Sequence, residues 1–271
     1  MANTTAGSSE TPSIPFMGNW DPMVCLDEQP TPSCLLRVTR EIADIEASLL
    51  PGIFVSPEAS DVTRIHAIVV GPEGTPYEGG FFHFFIKCPA KYPFVPPRVR
   101  LMNTDAGRVG FNPRLYACGK VCLSILGTWP GPPWTPVQNI GSVLTSVQSL
   151  MNEQPFRSDP GTTAHMPLSP AELKDRARHD TVRVAVCDIV EACLRDQPPC
   201  PPYLVGEIMK TFAESYDKYE ESVKALAELD GSRRLSQTLG LTTTQLYEPL
   251  LSRLRQLGQR VKEKIQTDGA R

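Results

Sequence analysis

The sequence predicts an α+β fold, in which an N-terminal helix precedes a four-stranded antiparallel meander, a long irregular loop, a packed helix and a helical C-terminal extension. Three observations predict it. The first is proline: 27 of 271 residues, where ~5% is usual, with 17 of them from Pro51 to Pro170 and none in residues 171–197 or 203–248. Proline cannot donate to a strand ladder and breaks helix interiors, so the middle of the chain reads as short strands and rigid turns and the last third as helix. The second is a succession of short apolar or alternating runs between residues 53 and 102, cut by Gly and Pro steps. The third is the three- and four-residue spacing of apolar positions on either side of that stretch.

Taken in order, residues 1–30 are rich in Thr, Ser, Pro and Gly around Trp20 and read as a flexible leader. Behind Thr31-Pro32-Ser33, the residues Leu35, Val38, Ile42, Ile45 and Leu49 share one side of a helix stopped by Pro51-Gly52, with Arg37 and Arg40 on its exposed side. Strands are expected over 53–55, 64–70, 81–87 and 98–102. GPEGTPYEGG joins the second to the third with steps that suit a hairpin. In the fourth, Arg98 and Arg100 alternate with Val99 and Leu101, as a sheet with one wet face requires. Residues 103–136 have no periodic pattern and hold Cys118, Cys122, Trp129, Trp134 and five prolines. Loops of that length inside compact domains are usually functional. Ile140, Val143, Leu144, Val147 and Leu150 then form a helix ending near Asn152. Ser169-Pro170-Ala171-Glu172 is a capping box with proline at the first helical position, and helical stretches are expected over 170–195, 203–229 and 243–266. The organisation is thus a leader over 1–30, a folded core over 31–165 and an extension over 166–271.

Charge excludes some functions. The net charge is -3, which argues against nucleic acid as a partner. Residues 171–271 carry 16 Lys or Arg and 16 Asp or Glu, interspersed, which is a solvated helical surface and not a basic arm. No apolar run approaches the ~18 residues that span a bilayer, and the start MANTTAGSSE has neither the basic nor the apolar region of a signal peptide, so no membrane partner and an intracellular location are expected. The eight cysteines are then expected as free thiols, with no C-x-x-C pair and no Cys/His zinc spacing.

Cys34, Cys88, Cys187 and Cys193 fall in expected helices or strands and read as small core residues. Cys118 and Cys122 lie on the long loop beside Gly119, where spacing alone leaves a nucleophile, a redox pair or a bystander open. His66 and His83 fall in strands while His165 and His179 lie in or near the last third, so no local Cys-His dyad is legible. Thioester exchange suits such a thiol better than hydrolysis.

The succession of a helix, GP-x-x-TPYEGG, a strand, KYPFVPPRV, FNPRLYACGKVCLSIL, a tryptophan followed by proline and a further helix resembles the ubiquitin-conjugating enzymes over residues 31–165. GKVCLSILGTW, the second tryptophan Trp134, RHDTVRVAVCDIVE and the long extension are similar to the Z-type branch of that family. The resemblance implies the ubiquitin-conjugating fold and a transferase that carries ubiquitin, or a ubiquitin-like modifier, as a thioester on Cys122. It implies no cofactor, since ATP is consumed by the activating enzyme. The partners implied are that activating enzyme, an alternative one that also loads a tandem ubiquitin-like modifier, and ubiquitin ligases, in the cytoplasm and nucleus. The family's His-Pro-Asn motif falls on Asn112, Pro113 and Arg114, so an arginine stands where the family has its asparagine. Arg114 either stabilises the oxyanion or points to solvent, while Asn112 reads as a turn former before proline. Asp159 before Pro160 matches the acidic residue that gates the incoming lysine. Phe94, Pro136 and Val137 match the two ligase-binding loops, Arg37 and Arg40 the helix that meets the activating enzyme, and Val55 the opposite, ubiquitin-binding face of the sheet. The alternative is a catalytically weak or inactive variant that acts as an interaction module in the ubiquitin pathway.

Overall fold

The computed structural model describes residues 19–156, 168–228 and 243–269. Helix α1 (Pro32–Ser48) starts where the Thr31 hydroxyl accepts from the Cys34 N–H, and ends at Leu49 in the left-handed region. Of the residues the spacing puts inward, Val38, Ile42 and Ile45 are buried, whereas Leu35 and Leu49 are exposed and Cys34 fills the first inward position instead. Strands β1 (Ile53–Glu58), β2 (Asp61–Val70), β3 (Phe81–Lys87) and β4 (Arg98–Leu101) form one antiparallel sheet in sequence order. Val55, Ala67, Phe84 and Leu101 stand opposite one another across all four strands and all are buried. They form the face that takes α1 and α2 (Ile140–Leu150).

That register corrects the assignment of Val55. Successive strand residues point to opposite faces, and with Ile53 inward Val55 is inward too, only 3% exposed. The outward positions of β1 are Phe54 and Ser56, which are half-buried.

The expectation of one wet face holds for β4, where Arg98 and Arg100 are half-buried and Val99 and Leu101 buried. It fails for β3, all seven residues of which are buried. The chain closes the outward face with its own ends. At one end, residues 19–28 pack instead of hanging free. Arg64 donates to the Leu26 carbonyl at 2.8 Å, Arg98 to Glu28 at 2.7 Å, and Arg100 pairs with Asp21 beneath the Trp20 ring. Three half-buried guanidiniums require acceptors, and the leader supplies them.

At the other end lies the extension. Helix α3 (Pro170–Asp180) opens with the expected Ser169/Glu172 capping box. The winding then widens into a π-helix over Thr181–Asp188 before α4 (Ile189–Cys193). Helices α5 (Pro202–Glu228) and α6 (Thr243–Gly269) pack on each other. The Gly79-Gly80 step, read from sequence as a turn, is where the extension meets the sheet. The Tyr219 hydroxyl donates to the Gly79 carbonyl at 2.8 Å, and a Cβ on Gly80 would stand 2.7 Å from the Thr181 methyl. Only glycine permits that approach. Arg183 of the π-helix reaches Asp105 at 2.9 Å, and that carboxyl is held down at about 2 by Arg108 first and by Arg183 after it. Among the described residues one apolar cluster takes in positions from Cys34 in α1 to Val261 in α6.

Candidate active site

Residues 111–122 form a small hairpin against β4. The Phe111 N–H donates to the Leu115 carbonyl at 3.0 Å, the Cys122 N–H to the Arg114 carbonyl at 2.9 Å, and Leu115 bridges Val121. Asn112 starts the turn: its Oδ1 accepts from the N–H of Arg114 at 2.9 Å and of Leu115 at 3.0 Å. With 8% exposure and its oxygen committed to two amides, Asn112 is the turn former the sequence suggests. The tip is closed by Gly119 at φ 91, whose N–H donates to the Tyr116 carbonyl at 2.9 Å. Its carbonyl accepts from Leu101 at 2.8 Å, tying the hairpin to β4.

Cys122 is 2% exposed. Burial pushes its thiol up, while a hydrogen bond from the Tyr116 side chain and the positive charges of Lys120 and Arg114 act in the opposite direction. The resting group is a protonated thiol, and Tyr116, Lys120 and Arg114 favour the thiolate, the form that attacks. Arg114 neither hangs in solvent nor caps a carbonyl: its guanidinium lies over the Trp129 ring, 4.5 Å from the centroid.

Tyr116, Lys120 and Trp129 are absent from the sequence-derived list. The legible signal for Tyr116 was its place in the run FNPRLYACGKVC, between the turn and Cys122. Cys118 is exposed and free, and Cys122 is free as well. His66 and His83 contact each other at 2.9 Å on the outward face, and burial, then the neighbouring imidazole, presses His83 down to about 3. Among the described residues, no group of three or more His, Cys, Asp or Glu is placed to hold a metal, and no helix is long and apolar enough to cross a membrane.

Away from the hairpin, Phe94 is 77% and Val137 88% exposed, and Pro136 is exposed beside Val137. Their loops are fastened together: the Trp134 Nε1–H donates to the Pro93 carbonyl at 2.7 Å. Arg37 is corrected here. It is half-buried, and it spends its guanidinium on Glu41 and on the carbonyls of Pro136 and Gln138, both at 3.1 Å. The sequence could not show acceptors that lie about a hundred positions downstream. Arg40 is exposed as expected. Glu41, buried at 4%, is the hub of this region. Besides Arg37 it accepts from the Tyr92 hydroxyl at 2.6 Å and from the Ile140 N–H at the start of α2 at 2.9 Å, a favoured place for a carboxylate. Asp159 lies outside the described residues.

Comparison with known proteins decides the family. The profile of the ubiquitin-conjugating enzymes matches residues 37–179. The chain belongs to the ubiquitin-conjugating enzyme family. A relative named ubiquitin-conjugating enzyme E2 Z from Homo sapiens is 44% identical over 260 residues, covering 94% of this chain and 72% of its own. One of the same name from Danio rerio is 44% identical over 251 residues, covering 91% and 75%. A solved ubiquitin conjugating enzyme E2 domain from Toxoplasma gondii is 28% identical and covers 56% of this chain and 98% of its own, with a TM-score of 0.47. As a conjugating enzyme, the chain receives ubiquitin from an activating enzyme as a cysteine thioester and passes it to a lysine. The Z-type likeness extends over the helical extension as well as the core.

Proposed function

We propose that Cys122 is the cysteine that carries the thioester, and the observation that supports it is its setting. It is buried on the irregular loop, with a hydrogen bond from Tyr116 and the charges of Lys120 and Arg114 each favouring the thiolate. In charging, the Cys122 sulfur attacks the carbonyl carbon of the activating enzyme's thioester. A new C–S bond forms, the old one breaks, and the proton of Cys122 ends on the departing thiol. In discharge a lysine amine attacks the same carbon, the Cys122 sulfur leaves, and the proton lost by the amine matches the one the sulfur regains. Both steps build negative charge on the carbonyl oxygen. The fixed cation of Arg114, held on Trp129, is the group we assign to stabilise it in place of the usual asparagine. Asn112 supports the same site by shaping the turn. For Asp159, in the role of orienting the incoming amine, the support is the resemblance alone.

The exposed Phe94, Pro136 and Val137 suit a ligase, because apolar side chains left in water on two fastened loops gain by being covered. Arg40 is offered to the activating enzyme, with Arg37 bracing the loop beside it. The Z-type likeness supports the alternative activating enzyme, a ubiquitin-like second modifier, and work in the cytoplasm and nucleus. Incubation with activating enzyme, ATP and ubiquitin is expected to give a reductant-sensitive adduct that Cys122→Ala abolishes; an adduct that survives this substitution overturns the assignment.

A further inference from the structure

The active-site hairpin and helix α3 of the extension enclose a pocket of about 500 Å³. Its walls include Tyr116, Phe156 and Leu173, with the exposed Cys118 among its lining residues and Arg176 ion-paired to Asp180 at 3.5 Å. Tyr116 belongs both to this pocket and to the environment of the reactive sulfur, which it hydrogen-bonds. The pocket and the surroundings of the reactive sulfur therefore share Tyr116 as a common wall. On the side of Asn112 and Arg114 lies a smaller hollow of about 210 Å³ with Ser149 and Asn152 in its lining.

Two chains must meet at the thioester: the carboxyl end of the modifier and the segment that bears the acceptor lysine. The flank with Arg114 is polar and cationic and suits the carbonyl whose oxygen becomes negative. The flank with Tyr116 is largely apolar and large enough for a bulky side chain, and helix α3 contributes Leu173, Arg176, Ala177 and Asp180 to its wall. We infer that this pocket is an acceptor-side specificity site, in which helix α3 and the active-site hairpin together take a leucine-sized or aromatic side chain next to the acceptor lysine. Lysines with such a neighbour are then transferred to in preference to isolated ones.

The inference rests on Cys122 carrying the thioester, and the experiment keeps the two apart. Enzyme is first charged, and formation of the adduct tests Cys122. Single-turnover discharge is then followed with free lysine, with a lysine peptide flanked by glycine, and with one flanked by leucine. The leucine peptide is expected to react about tenfold faster than the glycine peptide at limiting concentration, through KM. Cys118→Trp, which fills the pocket from an exposed position, is expected to remove that ratio. Leu173→Ala, which deepens the pocket, is expected to shift preference towards a phenylalanine or tryptophan neighbour, a gain that misfolding cannot imitate. Equal rates for the two peptides in the unchanged enzyme, or a Leu173→Ala preference that does not move to larger residues, overturns the inference. So does a Cys118→Trp variant that slows charging and leaves the peptide ratio intact, since the pocket would then take the modifier.

Discussion

The two working regions of the sheet's ends are held by different means. The active-site hairpin is held by the main chain: the amides of Phe111, Leu115, Gly119 and Cys122 all find carbonyls within the hairpin itself. The loops bearing Phe94 and Val137 are held by side chains, with Glu41, Arg37, Tyr92 and Trp134 converging from different elements. A frame made of backbone tolerates a change of side chain, so an arginine stands at 114 without disturbing the turn that Asn112 and Gly119 define. A frame made of side chains does not tolerate the loss of its hub, and in return it holds apolar residues out in water.

The largest effect is therefore expected at a residue with no part in the chemistry. Glu41→Ala leaves a buried N–H and a hydroxyl without their acceptor and takes the carboxylate partner from the Arg37 guanidinium, and is expected to cost about 3–5 kcal/mol in denaturant unfolding; a loss below about 1 kcal/mol would show that the loops do not depend on this carboxylate. Arg114→Ala is expected to leave stability near that of the parent and to slow discharge to lysine by about 100-fold, the scale of one oxyanion donor, while charging suffers less. Equal rates in parent and variant would remove Arg114 from the chemistry. Phe94→Ala is smaller in effect and opposite in kind: unfolding and unassisted discharge stay near the parent, whereas ligase binding weakens by about 30-fold, as for a typical interface anchor. Stimulation by ligase at unchanged affinity would put the contact elsewhere. The mildest test concerns pH. Burial raises the Cys122 thiol, so alkylation of it should have its midpoint above that of an ordinary cysteine, and Lys120→Ala, which takes away a charge that lowers it, should move the midpoint further up. A downward movement contradicts the electrostatic account of the hairpin.

How much of this was legible in the sequence follows from the range of the interactions. Helix α1, β4, α2 and the start of α3 were legible because their signals are local: a capping threonine, an alternation, a 3.6-residue spacing, a Ser-Pro-Ala-Glu box. The double burial of β3 was not, since its cover comes from residues 19–28 at one end and from the extension at the other. Val55 was placed on the wrong face because its assignment came from the resemblance, while the period-two alternation from a buried Ile53 puts it inward. Within the site, the family motif singled out Cys122, Asn112 and Arg114, but nothing in the spacing ties Arg114 to Trp129, because that stacking depends on how the loop after the 3-10 turn Ser124–Leu126 folds back.

The contact between Tyr219 and Gly79 joins positions 140 residues apart. Loop closure on that scale is slow compared with the pairing of neighbouring strands, so the sheet forms well before α5 arrives. In the interval the part of β3's outward side that the extension covers, Phe81 included, stays open, and a chain still emerging from synthesis presents it to its surroundings. The extension thus sets a kinetic demand as well as a shape: the longer its completion is delayed, the longer the finished half of the enzyme is exposed to aggregation.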